Sequence, residues 1–252
     1  MAYAFGRRPH DPAVVARLPS LAGHRMGAFL PETTLDRRSV EFVPGLYENN
    51  LLPTCTAAGL ANHAAGVAAI NGFRLPVSDA DVPAFYAACV GCAPTVTAMA
   101  ATDGAVMAAV LARQIGSGFS TIEGVPLVAR YGTIPLARTT LANAACRLGG
   151  AYLGVRLHDR DMQNVGHVWD VVPGRDDGPV VGGHCIVGPW DYTGLADDDT
   201  VRLMSWGAFP NATWAWLLAR IDEAYGLAWG YPRMPVDTGV DADRLAGAPW
   251  LR

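Results

Sequence analysis

The sequence of 252 residues lacks the features that would direct the protein to nucleic acid or to a membrane. It has no block rich in lysine and arginine, its formal charge is -4, and its aromatic residues are not interleaved with basic ones. It therefore offers no electrostatic footprint for a nucleic-acid backbone. The N-terminus MAYAFGRRPHDP has no apolar run typical of a signal peptide, and the later apolar stretches are interrupted by Asn62, His63 or Asp103 well short of bilayer length. We predict no nucleic-acid partner, no membrane partner and no signal peptide.

The sequence also lacks the short motifs of nucleotide binding and of several metal sites. Neither G-x-x-x-x-G-K-[ST] nor G-x-S-x-G occurs, and the glycine-rich pieces do not follow a strand-to-helix pattern. Cys89 and Cys92 have C-x-x-C spacing, but no second pair accompanies them. His158 and His167 lie near aspartates without the compact spacing of a motif such as H-E-x-x-H. We therefore expect no metal and no cofactor.

The number of cysteines and the apolar content limit the classes of protein to which this chain can belong. Five cysteines are an odd number for a chain of this length, so at least one thiol is expected to be free. A reducing compartment fits this usage best, and we predict a cytoplasmic location. Apolar residues make up 51% of the chain, which is enough to bury a substantial core.

The residue composition and the pattern of apolar residues change along the chain. Residues 1–44 mix Gly, Pro and Arg with short apolar pieces and predict an extended N-terminal arm that lies on a body formed by residues 45–252. After Pro53, the stretch CTAAGLANHAAGVAAI predicts a deeply buried helix that Thr54 caps and Gly72 ends. Further helices are expected over 77–88, 103–114 and 140–147.

Beyond residue 138 the sequence becomes rich in short β-forming runs bounded by Gly, Pro and Asp. These runs are AYLGVRL, HVWDVV, VVGGHCIVGPW and VRLMSWG. The aromatic-rich stretch NATWAWLLARIDEAYGLAW predicts a closing helix capped by Asn211 or Thr213. Helices first and strands afterwards predict an α+β chain in which a helical lobe over 45–138 and a β-rich lobe over 139–252 face each other across a cleft.

Cys55 is the first candidate for chemistry. It lies at the expected first turn of the alanine-rich helix, where unpaired backbone N–H groups and the helix dipole favour a thiolate. Position alone does not decide between a reactive nucleophile and a small apolar residue at a helix start.

His184 is the candidate base. It lies in VVGGHCIVG, where a predicted strand would hold it rigidly and the two preceding glycines allow another backbone or a ligand to come close. A histidine in an apolar strand is more often a core residue with its ring hydrogen-bonded. His63, on the buried helix, receives that structural interpretation.

Three stretches together resemble, in order, the signature regions of the papain-like cysteine peptidases. They are ENNLLPTCTAAGLANHA, GGHCIVGPWDY and VRLMSWG, and the similarity covers about residues 36–229. The closer resemblance is to short bacterial and phage members, whose opening runs D-L-R and then Y-D-Q-G-x-x-G-S-C-T-A; this chain has L-D-R at 35–37, Y-E-N at 47–49 and T-C-T-A at 54–57. The resemblance implies the two-lobed papain-like fold, with a helical N-terminal lobe, an antiparallel β-sheet or barrel C-terminal lobe and the active-site cleft between them.

The resemblance also implies roles for individual residues. In that family the cysteine attacks a carbonyl, the histidine shuttles the proton, and a glutamine six positions before the cysteine helps to bind the oxyanion. These roles fall on Cys55, His184 and Asn49 in this sequence. Asparagine keeps the amide donor but shortens the side chain by one methylene.

One departure concerns the residue that orients the histidine. The family's N-S-W-G, whose asparagine accepts the ring N–H, is M-S-W-G at 204–207 here, and methionine cannot accept in that way. Pairing of the two strands as a hairpin is expected to place Met204 close to His184. Ser205, Asp191 or a backbone carbonyl then has to replace the asparagine, while Trp206 resembles the tryptophan that shields this side of the dyad from water.

The leading hypothesis is a cytoplasmic or particle-associated (virion) thiol hydrolase that cleaves a peptide or related amide bond in a peptide or protein substrate through a Cys55 acyl-enzyme. The alternative is a catalytically weak or inactive papain-like domain that serves as a structural or binding component of a phage-derived particle, with other proteins of that assembly as partners. Met204 and Asn49 favour this alternative. A peptidoglycan amidase of the NlpC type ranks last, because the second polar residue that it needs after the histidine strand has only weak candidates here.

Overall fold

The computed structural model describes residues 5–21, 31–119, 121–122 and 125–230. The helices are α1 (Pro12–Val15), α2 (Cys55–Ile70), α3 (Asp81–Val90), α4 (Val96–Ala100), α5 (Met107–Ser117), α6 (Arg138–Leu148), α7 (Asp159–Gln163) and α8 (Trp214–Arg220). The strands are β1 (Thr121–Ile122), β2 (Val125–Pro126), β3 (Ala129–Thr133), β4 (Ala151–His158), β5 (Val180–Tyr192), β6 (Thr200–Met204), β7 (Asn211–Thr213) and β8 (Ile221–Trp229). Parts of the predicted arm and of the predicted β-rich lobe lie outside the described residues.

Helix α2 is buried between neighbours on almost every side, as its small residues predict. A Cβ atom added at Gly59 would lie 2.9 Å from the Cys185 sulfur, so α2 approaches β5 closely because glycine stands there. Gly72 follows the helix with a φ of 77°, which fits the expected stop. Thr54 is the N-cap residue, as predicted, but its side chain makes no cap hydrogen bond to α2, because its hydroxyl donates to the Tyr47 carbonyl oxygen instead (3.2 Å).

Six strands form an antiparallel sheet in the order β3-β8-β4-β5-β6-β7. Alternate residues of its central strands point to opposite faces. Tyr152 and Val187 join the hydrophobic cluster around α2, α3 and α5, whereas Leu153 and Ile186 join the cluster around α6 and α8. The sheet therefore separates two cores, and α2 lies directly against β5.

Several predicted elements differ from the structure. Helices expected over 77–88, 103–114 and 140–147 are present as α3, α5 and α6 with shifted ends. The run HVWDVV is not a strand and contributes only an isolated bridge between Trp169 and Ala212. Of the expected closing helix only α8 forms, capped by the Thr213 hydroxyl, while the residues before it are β7 and those after it are β8. Because β8 lies between β3 and β4, strand pairing on both sides overrides its local preference.

The described parts of the N-terminal arm follow the body closely. Arg37 is buried and donates to the carbonyl oxygens of Trp190 (2.9 Å) and Ala145 (2.6 Å), which ties residues 31–44 to β5 and α6. The predicted division at residue 44 stays a prediction. None of the helices within the described residues is long and apolar enough to cross a membrane.

Candidate active site

Cys55 lies at the first position of α2 and is fully buried. Backbone groups of Cys185, Gly6 and Thr56 lie close enough to its thiol to favour the thiolate. Cys185 directly follows His184 on β5, so the helix start brings the sulfur to the strand that carries the candidate base. Burial raises the pKa of Cys55 to about 11, while these backbone contacts and the charge of Arg7 act in the opposite direction. The sulfur is therefore a neutral thiol at neutral pH in this closed arrangement.

His184 is held by contacts to its face and to one ring nitrogen. Its Nε2 lies 2.7 Å from the Ser205 hydroxyl oxygen, and its ring stacks on Trp206 with centroids 4.2 Å apart. Its Nδ1 is buried and has no hydrogen-bond partner among the described residues. Burial lowers the pKa of His184 to about 3, and the nearby Arg7 charge acts in the same direction. In the tautomer whose Nε2–H donates to Ser205, the neutral ring has a lone pair on Nδ1, as a general base requires.

The expectation that Met204 lies beside His184 is wrong. The register of β5 and β6 places Met204 opposite Val187, and its side chain is buried against α2, where a Cβ at Gly66 would lie 3.0 Å from the Met204 methyl carbon. Met204 is therefore a core residue. Of the alternatives considered for the orienting group, Ser205 is the one that contacts the ring, since Asp191 is bound to Arg202 (3.0 Å).

A tight turn sets the positions of Ser205 and Trp206. Ser205 and Ala208 exchange both backbone hydrogen bonds, and the two residues between them have positive φ values, 47° at Trp206 and 72° at Gly207. Positive φ at both central positions is the mark of a type I′ hairpin turn. For a tryptophan this conformation is strained. The turn places the Trp206 ring against the His184 ring, on which it stacks.

Replacing Ser205 by alanine is expected to lower the free energy of unfolding by about 1–3 kcal/mol, because the buried Nε2 of His184 loses its hydrogen-bond partner. Urea unfolding at pH 7 measures the change. Ser117→Ala removes an exposed hydroxyl at the end of α5 and should change the free energy of unfolding by less than about 0.5 kcal/mol. Equal, negligible losses in both variants would show that Ser205 does not hold the ring.

Asn49 lies in the strained loop that precedes α2. The two residues before it, Tyr47 and Glu48, have φ values of 49° and 58°, and the Thr54 hydroxyl fixes the loop through the Tyr47 carbonyl. Asn49 is buried, and its Oδ1 has no hydrogen-bond partner among the described residues. Left-handed backbone at non-glycine residues clusters at functional sites. The predicted oxyanion role of Asn49 stays a prediction.

The N-terminal arm covers the sulfur. The Arg7 N–H donates to the Gly183 carbonyl (3.2 Å), while Ala105 accepts from the Arg8 N–H (3.0 Å) and donates to the Gly6 carbonyl (2.8 Å). Residues 5–8 are therefore bonded to β5 on one side and to residue 105 on the other. A Cβ at Gly183 would lie 2.5 Å from the Arg7 carbonyl oxygen, which confirms that a glycine before His184 allows another backbone to come close.

Sequence reasoning missed Arg7 and the carboxylates that bind it. Arg7 donates to Glu223 (2.5 Å) and to Asp222 (2.7 Å) at the start of β8. These residues are more than 200 positions apart, and the acidic pair was assigned to a helix. The paired arginines at 7–8 were the only local signal.

The remaining histidine and cysteine predictions concern residues other than Cys55 and His184. His63 is buried, with Nε2 3.1 Å from the Gly150 carbonyl and Nδ1 accepting from the Trp229 indole (2.9 Å), which confirms its structural role. Burial lowers the pKa of His63 to about 4. All five cysteines are free thiols, including Cys89 and Cys92, in agreement with the expectation of at least one free thiol.

Comparison with solved structures identifies the fold. The chain is similar to xylellain, a cysteine protease from Xylella fastidiosa, with a TM-score of 0.63 and 12% identity over 89% of this chain and 96% of that one. It is also similar to digestive procathepsin L 3 of the Tenebrio molitor larval midgut, with a TM-score of 0.55 and 11% identity over 90% of this chain and 75% of that one. No protein-family model matches the sequence, and no curated protein matches it. The fold is α+β and matches papain-like cysteine protease folds, as predicted.

Proposed function

We propose that this protein is a thiol hydrolase that cleaves a peptide or related amide bond through a Cys55 acyl-enzyme. The observation that carries the proposal is the relation of Cys55 to His184. The backbone of Cys185, the residue next to His184, lies near the thiol, and His184 Nδ1 is buried with no hydrogen-bond partner among the described residues while Nε2 lies 2.7 Å from the Ser205 hydroxyl. These observations support the proposed roles of Cys55 as nucleophile, His184 as base and Ser205 as orienting group, which are the roles that acyl transfer requires.

The steps follow from these groups. His184 Nδ1 takes the Cys55 proton, and the thiolate sulfur bonds to the carbonyl carbon of the substrate. The oxyanion accepts hydrogen bonds from the Cys55 backbone N–H and the Asn49 amide. His184 then returns the proton to the leaving amine as the C–N bond breaks. A water molecule then gives a proton to Nδ1 as its oxygen bonds to the thioester carbon. The C–S bond breaks, the acid is released, and the Cys55 sulfur takes the proton back from Nδ1.

Catalysis requires the arm to leave the cleft. With residues 5–8 in place, burial holds the pKa of Cys55 at about 11 and that of His184 at about 3, so neither group is charged at neutral pH. Access of water removes the desolvation that causes both shifts, and the two pKa values then move toward their ordinary ranges. Gly6 offers a way to open the site, because a Cβ there would lie 2.0 Å from the Pro53 carbonyl oxygen.

The test is hydrolysis of a pool of fluorogenic peptide amides by full-length Gly6→Val protein. We expect Cys55→Ala in this background to reduce hydrolysis by about 1000-fold or more, because the nucleophile is lost. Cys92→Ala removes a different free thiol and should leave the rate unchanged. Intact-mass measurement after an acid quench should show an acyl group on the chain. Equal hydrolysis with and without Cys55, or none at all while Cys55 reacts readily with iodoacetamide, would refute the proposal.

A second candidate is a papain-like domain that binds protein without cleaving it. The covered cleft and the neutral, buried Cys55 and His184 favour this function. Membership of the bacterial and phage subgroup, a place in a phage-derived particle and a cytoplasmic or virion location rest on the sequence resemblance and cysteine usage alone. The hydrolysis experiment separates the two candidates, because the binding domain predicts no Cys55-dependent product.

A further inference from the structure

The side chain of Arg7 is enclosed by an acidic site next to the candidate dyad. Its Nη1 lies 2.5 Å from Glu223 Oε1 and its Nη2 lies 2.7 Å from Asp222 Oδ2. The side chains of Arg7 and Glu223 are each only 2% exposed. Two carboxylates on adjacent residues thus receive the two terminal nitrogens of one guanidinium, which is the fork geometry that distinguishes arginine from lysine.

The walls of this site are shaped by glycines on the neighbouring strands. A Cβ at Gly154 would lie 2.7 Å from Arg7 Nη1 and 2.6 Å from Glu223 Cγ, so only glycine leaves room for the ion pair. A Cβ at Gly182 would lie 2.5 Å from the Phe5 ring. Together with Gly183 under the Arg7 backbone, these positions form a floor that fits an extended peptide.

Charge explains why the site requires an arginine. Glu223 also accepts from the Tyr225 hydroxyl (2.9 Å), and its Oε2 lies 3.9 Å from His10 Nδ1, but the Arg7 guanidinium is its close cationic partner. Burial acts to lower the pKa of Arg7, and its bonds and attraction to Asp222 and Glu223 outweigh this, so the pKa is raised. A buried carboxylate without a cation is strongly unfavourable, so the empty site favours a ligand that brings a guanidinium.

We propose that Asp222 and Glu223 form a subsite for an arginine side chain of a bound peptide, and that residues 5–8 are the occupant that this chain supplies to itself. As a statement about substrate, this rests on the proposed function. The Gly6 backbone lies near the Cys55 thiol, and the Arg7 N–H donates to the Gly183 carbonyl (3.2 Å), one residue before His184. A peptide bound in the same way carries a glycine at the sulfur and an arginine next to it. The substrate class is therefore peptides with a glycine–arginine pair.

The test measures binding and needs no chemistry. The protein is the full chain with Gly6→Val, which unseats the arm, and Cys55→Ala, which prevents cleavage. The probe is fluorescent Phe-Gly-Arg-Arg-Pro amide, compared with the same peptide carrying citrulline, an uncharged isostere, at the first arginine. Anisotropy should show about 10-fold or more weaker binding of the citrulline peptide, because hydrogen bonds between charged groups are lost.

Two matched controls assign this preference to the subsite. Citrulline at the second arginine, which corresponds to the exposed Arg8, should change affinity by less than about 3-fold. Glu223→Gln in the same protein should remove most of the preference at the first arginine. Equal affinity for arginine and citrulline at the first position would overturn the proposal.

Further measurements keep the outcome decisive. If Gly6→Val with Cys55→Ala fails to fold by circular dichroism, Arg7→Ala with Cys55→Ala empties the same subsite and receives the same peptides. If binding depends on arginine but the Gly6→Val protein that retains Cys55 hydrolyses no peptide, the subsite proposal stands and the hydrolase proposal fails. If Cys55-dependent hydrolysis occurs but binding shows no arginine preference, the hydrolase proposal stands and the subsite proposal fails.

Discussion

Full-length Gly6→Val protein should react with iodoacetamide at Cys55 about 100-fold or more faster than the unaltered protein at pH 7. A valine at position 6 collides with the Pro53 carbonyl, so residues 5–8 leave the cleft and water reaches the sulfur. A fall of the Cys55 pKa from about 11 toward its ordinary value near 8.5 increases the thiolate fraction at pH 7 by more than two orders of magnitude. Mass spectrometry of the labelled peptides measures the rate at each cysteine.

Three variants control this alkylation experiment. Arg8→Ala alters an exposed side chain of the same segment and should leave the rate unchanged. Cys55→Ala assigns the labelled site. In the Gly6→Val protein, His184→Ala should abolish rapid labelling below pH 8.5, because the imidazolium no longer stabilises the thiolate. Slow labelling in both Gly6→Val and unaltered protein would show that the arm does not control access to Cys55.

Acidification from pH 6.5 to about 4 should lower the free energy of unfolding by several kcal/mol. Burial lowers the pKa of His184 to about 3 and that of His63 to about 4, whereas both have a pKa near 6.5 in the unfolded chain. Between these values the unfolded state binds more protons than the native state, so stability falls as the pH falls, by about 1.4 kcal/mol per pH unit for each histidine. Above pH 6.5 both rings are neutral in both states and contribute no slope.

Urea unfolding at pH 7.0, 6.0, 5.0 and 4.5 measures this dependence. His184→Asn should reduce the slope between pH 6 and 4.5 by about 1.4 kcal/mol per pH unit, since one buried ring is removed. His167→Asn replaces an exposed histidine and should leave the slope as it was. Parallel curves for His184→Asn and the unaltered protein would show that His184 is not held neutral in the fold.

Local sequence patterns predicted the elements whose determinants are local. The small residues after Pro53 predicted α2 and put Cys55 at its start, and the glycines before His184 indicated a close approach to β5. The prediction of a closing helix was wrong for the residues of β8. Pairing with β3 and β4 determines their conformation, and the local sequence carries no signal of that pairing.

The orienting group and the arginine subsite depended on geometry that the sequence does not display. A motif alignment put Met204 in the place of the asparagine, but the strand register directs Met204 into the core and leaves Ser205 at the ring. A shift of one residue along a strand exchanges the face on which a side chain lies. The contact of Arg7 with Glu223 joins the two ends of the described chain, so it could be found only after the chain was folded.

The covalent attachment of residues 5–8 to the body determines the concentration at which a separate peptide can displace them. A segment joined covalently to the body through a short link acts as though its local concentration were of about millimolar order. A free peptide with the same contacts therefore has to reach a similar concentration to displace half of the arm, however tightly it binds the vacant cleft. Intact protein should thus discriminate against dilute peptides and respond to partners that hold several copies of a segment together, since such partners match the tether's advantage with avidity of their own.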